Sequence, residues 1–247
     1  MAGTIPRVLA HGFAEFLAQP LISLKIRARC AIIGDMSDGT LGVRVGLLGG
    51  SFNPIHWGHL ILAQDAREHF DLSRVIFMPC ARSPHKRENP DLAPAEDRLA
   101  MAQRATEGLP WVEVSDLEVR RGGISYTVET VETLRERHPE WILFLILGSD
   151  SLRDLPRWYQ VERLLTLCRL AVLSRPGFDV EPLMASLPLS LRDRVQGAVR
   201  KGHLIEISSS EIRQRVAENR PIDLFMPREA AFYLRHKGLY RKQKGQA

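Results

Sequence analysis

VRVGLLGGSFNPIHWGHL, residues 43–60, carries a strand signal, a turn signal and a helix start in one continuous stretch. VRVGLL reads as a short buried strand, bounded by Gly49 and Gly50. Helical periodicity begins near Gly58 and continues through HLILAQDAREHF (59–70). A strand that passes through a glycine turn into a helix is the first half of a βαβ unit. The two glycines are expected to turn the chain sharply and to let its backbone approach a ligand. Unpaired N–H groups and a partial positive charge make a helix N-terminus an anion site. His56 and His59, at i and i+3 in that first turn, can both reach one phosphate and donate to it in either charge state. The stretch alone divides evenly between phosphate binding and plain structure. Neither G-x-x-x-x-G-K-[ST] nor G-x-G-x-x-G occurs, and Ser51 lacks a nucleophile elbow.

The same alternation continues outward. Further strands are expected at VIFMPC (75–80), WVEVS (111–115), WILFLIL (141–147), LAVLS (170–174) and HLIEI (203–207). Helical stretches lie between them, for example PAEDRLAMAQRATEG (94–108) and YTVETVETLRERH (126–138). This pattern predicts an α/β fold, a Rossmann-like, doubly wound and mainly parallel sheet with helices on both faces. The segment 178–202 reads as a peripheral helical insertion, and the part after 208 as helices only. Pro79 to Pro94, with four prolines, reads as a long loop after a strand's carboxyl end, where ligand crevices form in open α/β sheets.

A second constellation shifts the balance toward phosphate. In ISSSEIR (207–213), Ser208 and Glu211 form a capping box, S-x-x-E, that starts another helix. Three consecutive serines add hydroxyls and N–H groups, and Arg213 adds a planar fork that suits phosphate oxygens.

GGSFNPIHWGH together with ISSSEIR resembles the nucleotidyltransferase superfamily with an H-x-G-H signature, and within it the bacterial nicotinate-nucleotide adenylyltransferases. PHK (84–86), DLEVRRGGISYTVET (116–130), LGSDSLRDLPRWYQ (147–160), SRPG (174–177) and HKGLY (236–240) stand as in that family. Ser210 replaces the threonine common in ISSTEIR. The resemblance covers about Val43 to Tyr240 and implies transfer of AMP from ATP to nicotinate mononucleotide, giving nicotinate adenine dinucleotide and pyrophosphate. It implies that His56, His59 and Arg213 are catalytic. It further implies that Gly50, Ser51, Phe52, Gly58, Ser208 and Ser209 join them around ATP. Thr127, Gly148, Asp150, Trp158, Tyr159, Lys86 and Arg175 would bind the acceptor side, with Trp158 stacking on the pyridine ring. Mg²⁺ would enter with ATP, and no tightly bound cofactor or protein-held metal is implied.

The residues are consistent with that chemistry. A phosphate oxygen attacks already ionised, so alignment and charge neutralisation suffice, without a nucleophilic side chain or a base. Rival readings are a sibling enzyme with phosphopantetheine or an amide mononucleotide as acceptor, a non-catalytic binding module, and a nucleic-acid binder.

Composition bounds these choices. Lys and Arg number 34 against 29 Asp and Glu, a dispersed net charge of +5 that suits small anions and argues against nucleic acid. Cys30, Cys80 and Cys168 form no spaced pair, which fits a reducing cytoplasm and supplies no zinc set. The longest apolar run, WILFLIL, is far short of the ~20 residues of a membrane span. From Met1 to Gly34 the only acid is Glu15, against Arg7, Lys25, Arg27 and Arg29. This resembles a targeting presequence, but a loosely attached extension over 1–41 is the favoured expectation, and a start at Met36 is another reading. Residues 42–247 are expected to form one nucleotidyltransferase domain, with homo-oligomerisation left open.

Overall fold

A computed structural model of the protein describes residues 42–84, 91–174 and 180–241. The expected extension over 1–41 lies outside them, as do Lys86 and Arg175.

Six strands form one parallel sheet: β1 (Val43–Gly50), β2 (Arg74–Pro79), β3 (Val112–Val114), β4 (Trp141–Gly148), β5 (Arg169–Ser174) and β6 (Val199–Lys201). Their order is β3-β2-β1-β4-β5-β6. The order therefore reverses between β1 and β4, which pair from Val43↔Trp141 to Leu47↔Leu145. The helices among the described residues are α1 (Trp57–His69), α2 (Ala95–Ala105), α3 (Leu117–Arg121), α4 (Thr127–Arg137), α5 (Ser149–Leu152), α6 (Val161–Leu167), α7 (Glu181–Ser186), α8 (Leu189–Gln196), α9 (Ser209–Ala217) and α10 (Arg228–His236). A 3-10 turn at Leu155–Arg157 follows α5.

The two-residue period of the strands divides the core. Leu143, Leu145 and Leu147 of β4 face one side and pack with Val128, Val131 and Leu134 of α4 and Leu164 of α6. Phe144 and Ile146 face the other and pack with Leu60, Ala63 and Ala66 of α1 and Met101 and Ala102 of α2. Ile212 of α9 and Ala230, Ala231 and Leu234 of α10 join that second layer. A sheet buried on both faces requires continuous apolar strands, and WILFLIL is one.

The sixth strand differs from expectation. HLIEI (203–207) is not a strand; β6 is Val199–Lys201, inside the segment expected to be a helical insertion. The ladder against β5 ends when the Gly202 N–H donates to the Ser174 carbonyl at 2.8 Å. The next N–H, of His203, donates instead to Asp65 Oδ2 at 2.7 Å, and the His203 Nδ1 lies 2.7 Å from Asp65 Oδ1. A buried carboxylate of α1 thus takes the group that would have extended the strand.

Candidate active site

The crevice opens where the strand order reverses, at the carboxyl ends of β1 and β4, the place where open α/β sheets bind ligands. Two cavities meet there and share Gly49, Gly50, Ser51, Ser151 and Trp158. The larger, about 700 Å³, is lined by Phe52, His56, Gly58, His59, Gly148, Asp150, Ser208, Ser209 and Arg213. The smaller, about 270 Å³, is lined by Thr127, Tyr159, Glu118, Ser125 and Tyr126. Every candidate residue within the described chain therefore borders one cleft.

The turn is not made where the glycines predict. Gly49 and Gly50 still belong to β1, and the left-handed residue is Phe52, at φ 44°. Few non-glycine residues occupy that region, and those that do are held by their surroundings. Here the Phe52 ring is buried against Phe77, 5.6 Å between centroids, and edge-on to His59 at 5.0 Å. A Cβ on Gly50 would approach that ring at 3.3 Å, so Gly50 makes room for Phe52.

His56 and His59 cap α1 reciprocally. His56 is the N-cap, and its backbone N–H donates to His59 Nδ1 at 3.2 Å. An Nδ1 that accepts a hydrogen bond places the proton of a neutral imidazole on Nε2. The rings lie 3.8 Å apart by centroid. Gly58 is fixed by the same packing, since a Cβ there would sit 3.0 Å from His56 Cε1 and Nδ1.

The serine motif reaches this loop directly. Ser209 Oγ donates to the Pro54 carbonyl at 2.8 Å, and Arg213 donates to the Asn53 carbonyl at 2.9 Å. Ser208 Oγ accepts from the Glu211 N–H at 3.1 Å, the expected cap, which leaves its own hydrogen as a donor. The Ser209 hydroxyl hydrogen is already engaged, so toward a ligand its backbone N–H in the first turn of α9 is the available donor.

On the other side, Trp158 borders both cavities and Tyr159 is 51 % exposed, its ring 4.5 Å from that of Tyr126. Thr127 is the first residue of α4, where N–H groups are not used within the helix. Asp150 stands exposed in α5, directly after β4.

Three positioning residues, Arg98, Asn53 and Tyr240, lie outside the set of site residues expected from the sequence. Arg98 of α2 is fully buried (0 % exposed) and donates to the carbonyls of Ala93, Ser51 and Ala81 at 2.9, 2.7 and 2.9 Å. Asn53 Oδ1 accepts from the Ala93 N–H at 3.0 Å and from the Tyr240 hydroxyl at 2.6 Å, and Asn53 Nδ2 donates to the Asp91 carbonyl at 2.9 Å. Burial raises the Tyr240 phenol above its ordinary range, so it remains a donor. An arginine inside a charged helix, PAEDRLAMAQRATEG, gives no local sign of burial. HKGLY was a signal for Tyr240, though without a role.

Two further groups at the wall stay neutral more readily than usual. Burial raises the Glu118 carboxyl, opposed by the Thr130 hydroxyl, which donates to it at 2.6 Å. Burial also raises the Cys80 thiol, opposed by Arg98, so Cys80 is no activated nucleophile.

A six-stranded parallel sheet in this order, with a histidine-capped first helix cross-linked to a serine-capped later one, defines a nucleotidyltransferase fold. The family model described as cytidylyltransferase-like matches residues 47–215. A protein of Moorella thermoacetica named probable nicotinate-nucleotide adenylyltransferase is 44 % identical over 207 residues, covering 80 % of this chain and 92 % of that one. A protein of Opitutus terrae with the same name is 43 % identical over 199 residues, covering 81 % and 98 %. The chain belongs to the nicotinate-nucleotide adenylyltransferase family. The fold agrees with the Plasmodium falciparum nicotinic acid mononucleotide adenylyltransferase complexed with NaAD (TM-score 0.62, 21 % identity, 80 % of this chain and 97 % of that one).

Proposed function

We propose that this cleft transfers AMP from ATP to nicotinate mononucleotide, producing nicotinate adenine dinucleotide and pyrophosphate, a step of NAD biosynthesis. The observation that carries the reading is the joining of the two phosphate motifs. Ser209 and Arg213 are hydrogen-bonded to the Asn53–Pro54 loop that leads into His56 and His59. The family relationship supports the choice of acceptor.

In this reading a phosphate oxygen of the mononucleotide attacks the α-phosphorus of ATP, forming the new P–O bond. The bond from the α-phosphorus to the bridging oxygen breaks, and that oxygen leaves with pyrophosphate. His56 and His59 stabilise charge at the reacting phosphates, His59 as an Nε2–H donor. Ser208, the Ser209 N–H and Arg213 hold the departing β and γ phosphates. Gly50, Ser51 and Phe52 form the wall between donor and acceptor, and Asp150 and Gly148 receive a ribose. Trp158 stacks on the pyridine ring, while N–H groups at Thr127 and Tyr159 receive its carboxylate. Lys86 and Arg175 add positive charge near the acceptor.

ATP enters as its Mg²⁺ complex, the ion being part of the substrate. Among the described residues no three His, Cys, Asp or Glu side chains gather as an ion site. A cytoplasmic location and one domain over 42–247 complete the proposal. The fitting observations are the dispersed cysteines and the absence, among the described residues, of a helix long and apolar enough to cross a membrane.

The test is pyrophosphate release by the full chain with Mg-ATP, comparing nicotinate with nicotinamide mononucleotide. Release dependent on the acid form supports the reading. No release with either compound overturns it, and equal release would overturn the acid preference.

A further inference from the structure

The larger cavity runs past the phosphate motifs to a second end, where Asp65 and His203 meet. Gly58, Leu62 and Asp65 form one stripe of α1 along that cavity. Asp65 follows His59 by about 9 Å along the helix axis, at ~1.5 Å per residue. Leu62, Leu173 of β5 and Ile205 give this end apolar walls. Apolar walls with a few placed polar groups suit a flat heteroaromatic base better than a phosphate. With the phosphates held near His56, His59, Ser208 and Arg213, the base of the nucleotide falls at this end.

The Asp65 side chain is 5 % exposed, and it meets His203 twice. Its Oδ2 accepts from the His203 backbone N–H at 2.7 Å, and its Oδ1 lies 2.7 Å from His203 Nδ1. Gly202 makes room for the carboxylate, since a Cβ there would sit 3.1 Å from Asp65 Oδ2 and 3.3 Å from Leu173 Cβ. Ending the strand requires only the contact to the backbone N–H. The ring contact does something further. A carboxylate only accepts, so Nδ1 carries the proton of the neutral ring and Nε2 presents a lone pair. That is the reverse of His59, whose Nε2–H suits a phosphate oxygen.

We infer, given the reading of this cleft as the ATP site, that His203 is a specificity-determining residue for the donor nucleotide. It selects a purine that presents an exocyclic amino group, and Asp65 is the positioning residue that fixes its ring. His203 Nε2 accepts an N–H of that amino group. A purine with a carbonyl at the same place brings an oxygen lone pair against the nitrogen lone pair, a repulsive contact rather than a missing one. The His203 side chain is 74 % exposed, so the discrimination is that of a rim contact, about tenfold, and not the far larger ratio of a sealed pocket.

The test is calorimetric titration of the full chain with Mg-ATP and with Mg-ITP, whose base carries a carbonyl in place of the amino group. No acceptor is present, so the result stands apart from the choice of mononucleotide. Wild type should bind ATP about tenfold more tightly than ITP. His203→Ala keeps the backbone N–H that Asp65 accepts, and it should bring the two affinities to within about twofold, chiefly by weakening ATP. Asp65→Asn should also narrow the ratio, because an amide can donate to Nδ1 and no longer fixes one tautomer. A purely structural role for Asp65 would lower the melting temperature and weaken both nucleotides alike. Equal affinity of wild type for the two nucleotides, or a ratio unmoved by His203→Ala, overturns the inference and leaves the ATP site standing. Failure of wild type to bind ATP overturns both.

Discussion

Around His59, Ser209 and Arg213, side-chain groups are bonded to the protein before any ligand is considered. Nδ1 of His59 holds a backbone N–H, and the serine and arginine grip the loop carbonyls at Asn53 and Pro54. Around Tyr126, Trp158 and Tyr159 the wall is aromatic, and Tyr159 is half exposed with its hydroxyl accepting from its neighbour Gln160. The first half is arranged to stabilise charge, which gains most from donors fixed in advance. The second receives a flat ring, for which surface contact matters more than exact donor placement.

Substitutions distinguish the two halves. His59→Ala removes one fixed donor and part of the α1 cap, and turnover should fall by ~10²–10³ in a saturated pyrophosphate-release assay. An unchanged turnover would remove His59 from the charge-stabilising set. Gly58→Ala should come next. Its Cβ would press on the His56 ring, and a shift of the ring by a fraction of an ångström should cost about tenfold in turnover, with little loss of melting temperature. If the melting temperature collapses instead, Gly58 serves the helix rather than the histidine.

Trp158→Ala tests the other half. The KM for the mononucleotide should rise by about tenfold, the size of a lost stacking contact, while the KM for ATP changes less. A larger effect on ATP would show that Trp158, which borders both cavities, belongs to the donor side.

The smallest effect concerns Glu118. Burial raises its carboxyl above the ordinary 4.5, so the folded state binds its proton more tightly than the unfolded state does. Its contribution to stability is fully present below the unfolded value and is lost as pH rises through the raised folded value. Glu118→Gln should flatten that part of the stability curve, seen as melting temperatures that fall less between acid and neutral pH. An identical pH profile in the variant would assign the dependence to other groups.

How legible all this was depends on the range of the interactions. The strand and the helix of residues 43–70 could be read directly because both signals lie within one short stretch, although the turn between them falls later than the glycines suggest. ISSSEIR was legible for the same reason. HLIEI misled because its pattern is apolar enough for a strand, while its fate was set by Asp65, far away in the chain and unremarkable within α1. Leu204, 50 % exposed, shows how little of that segment entered the core. Arg98 was invisible for a related reason, since its three acceptors come from two connections distant in the chain, Ser51 after β1 and Ala81 and Ala93 between β2 and α2. The sharp turn was expected at Gly49 and Gly50 because glycine turns the chain at least cost, whereas the positive φ falls at Phe52, whose buried ring packs against Phe77 and His59.

Arg98 also limits how this protein can be altered. The segments carrying Ser51, Ala81 and Ala93 are mechanically one piece, pinned by a single side chain. Loop grafting that aims to change the acceptor would need to move all three together. An exchange of one alone would leave a sealed cation short of an acceptor and disturb the wall on the ATP side as well.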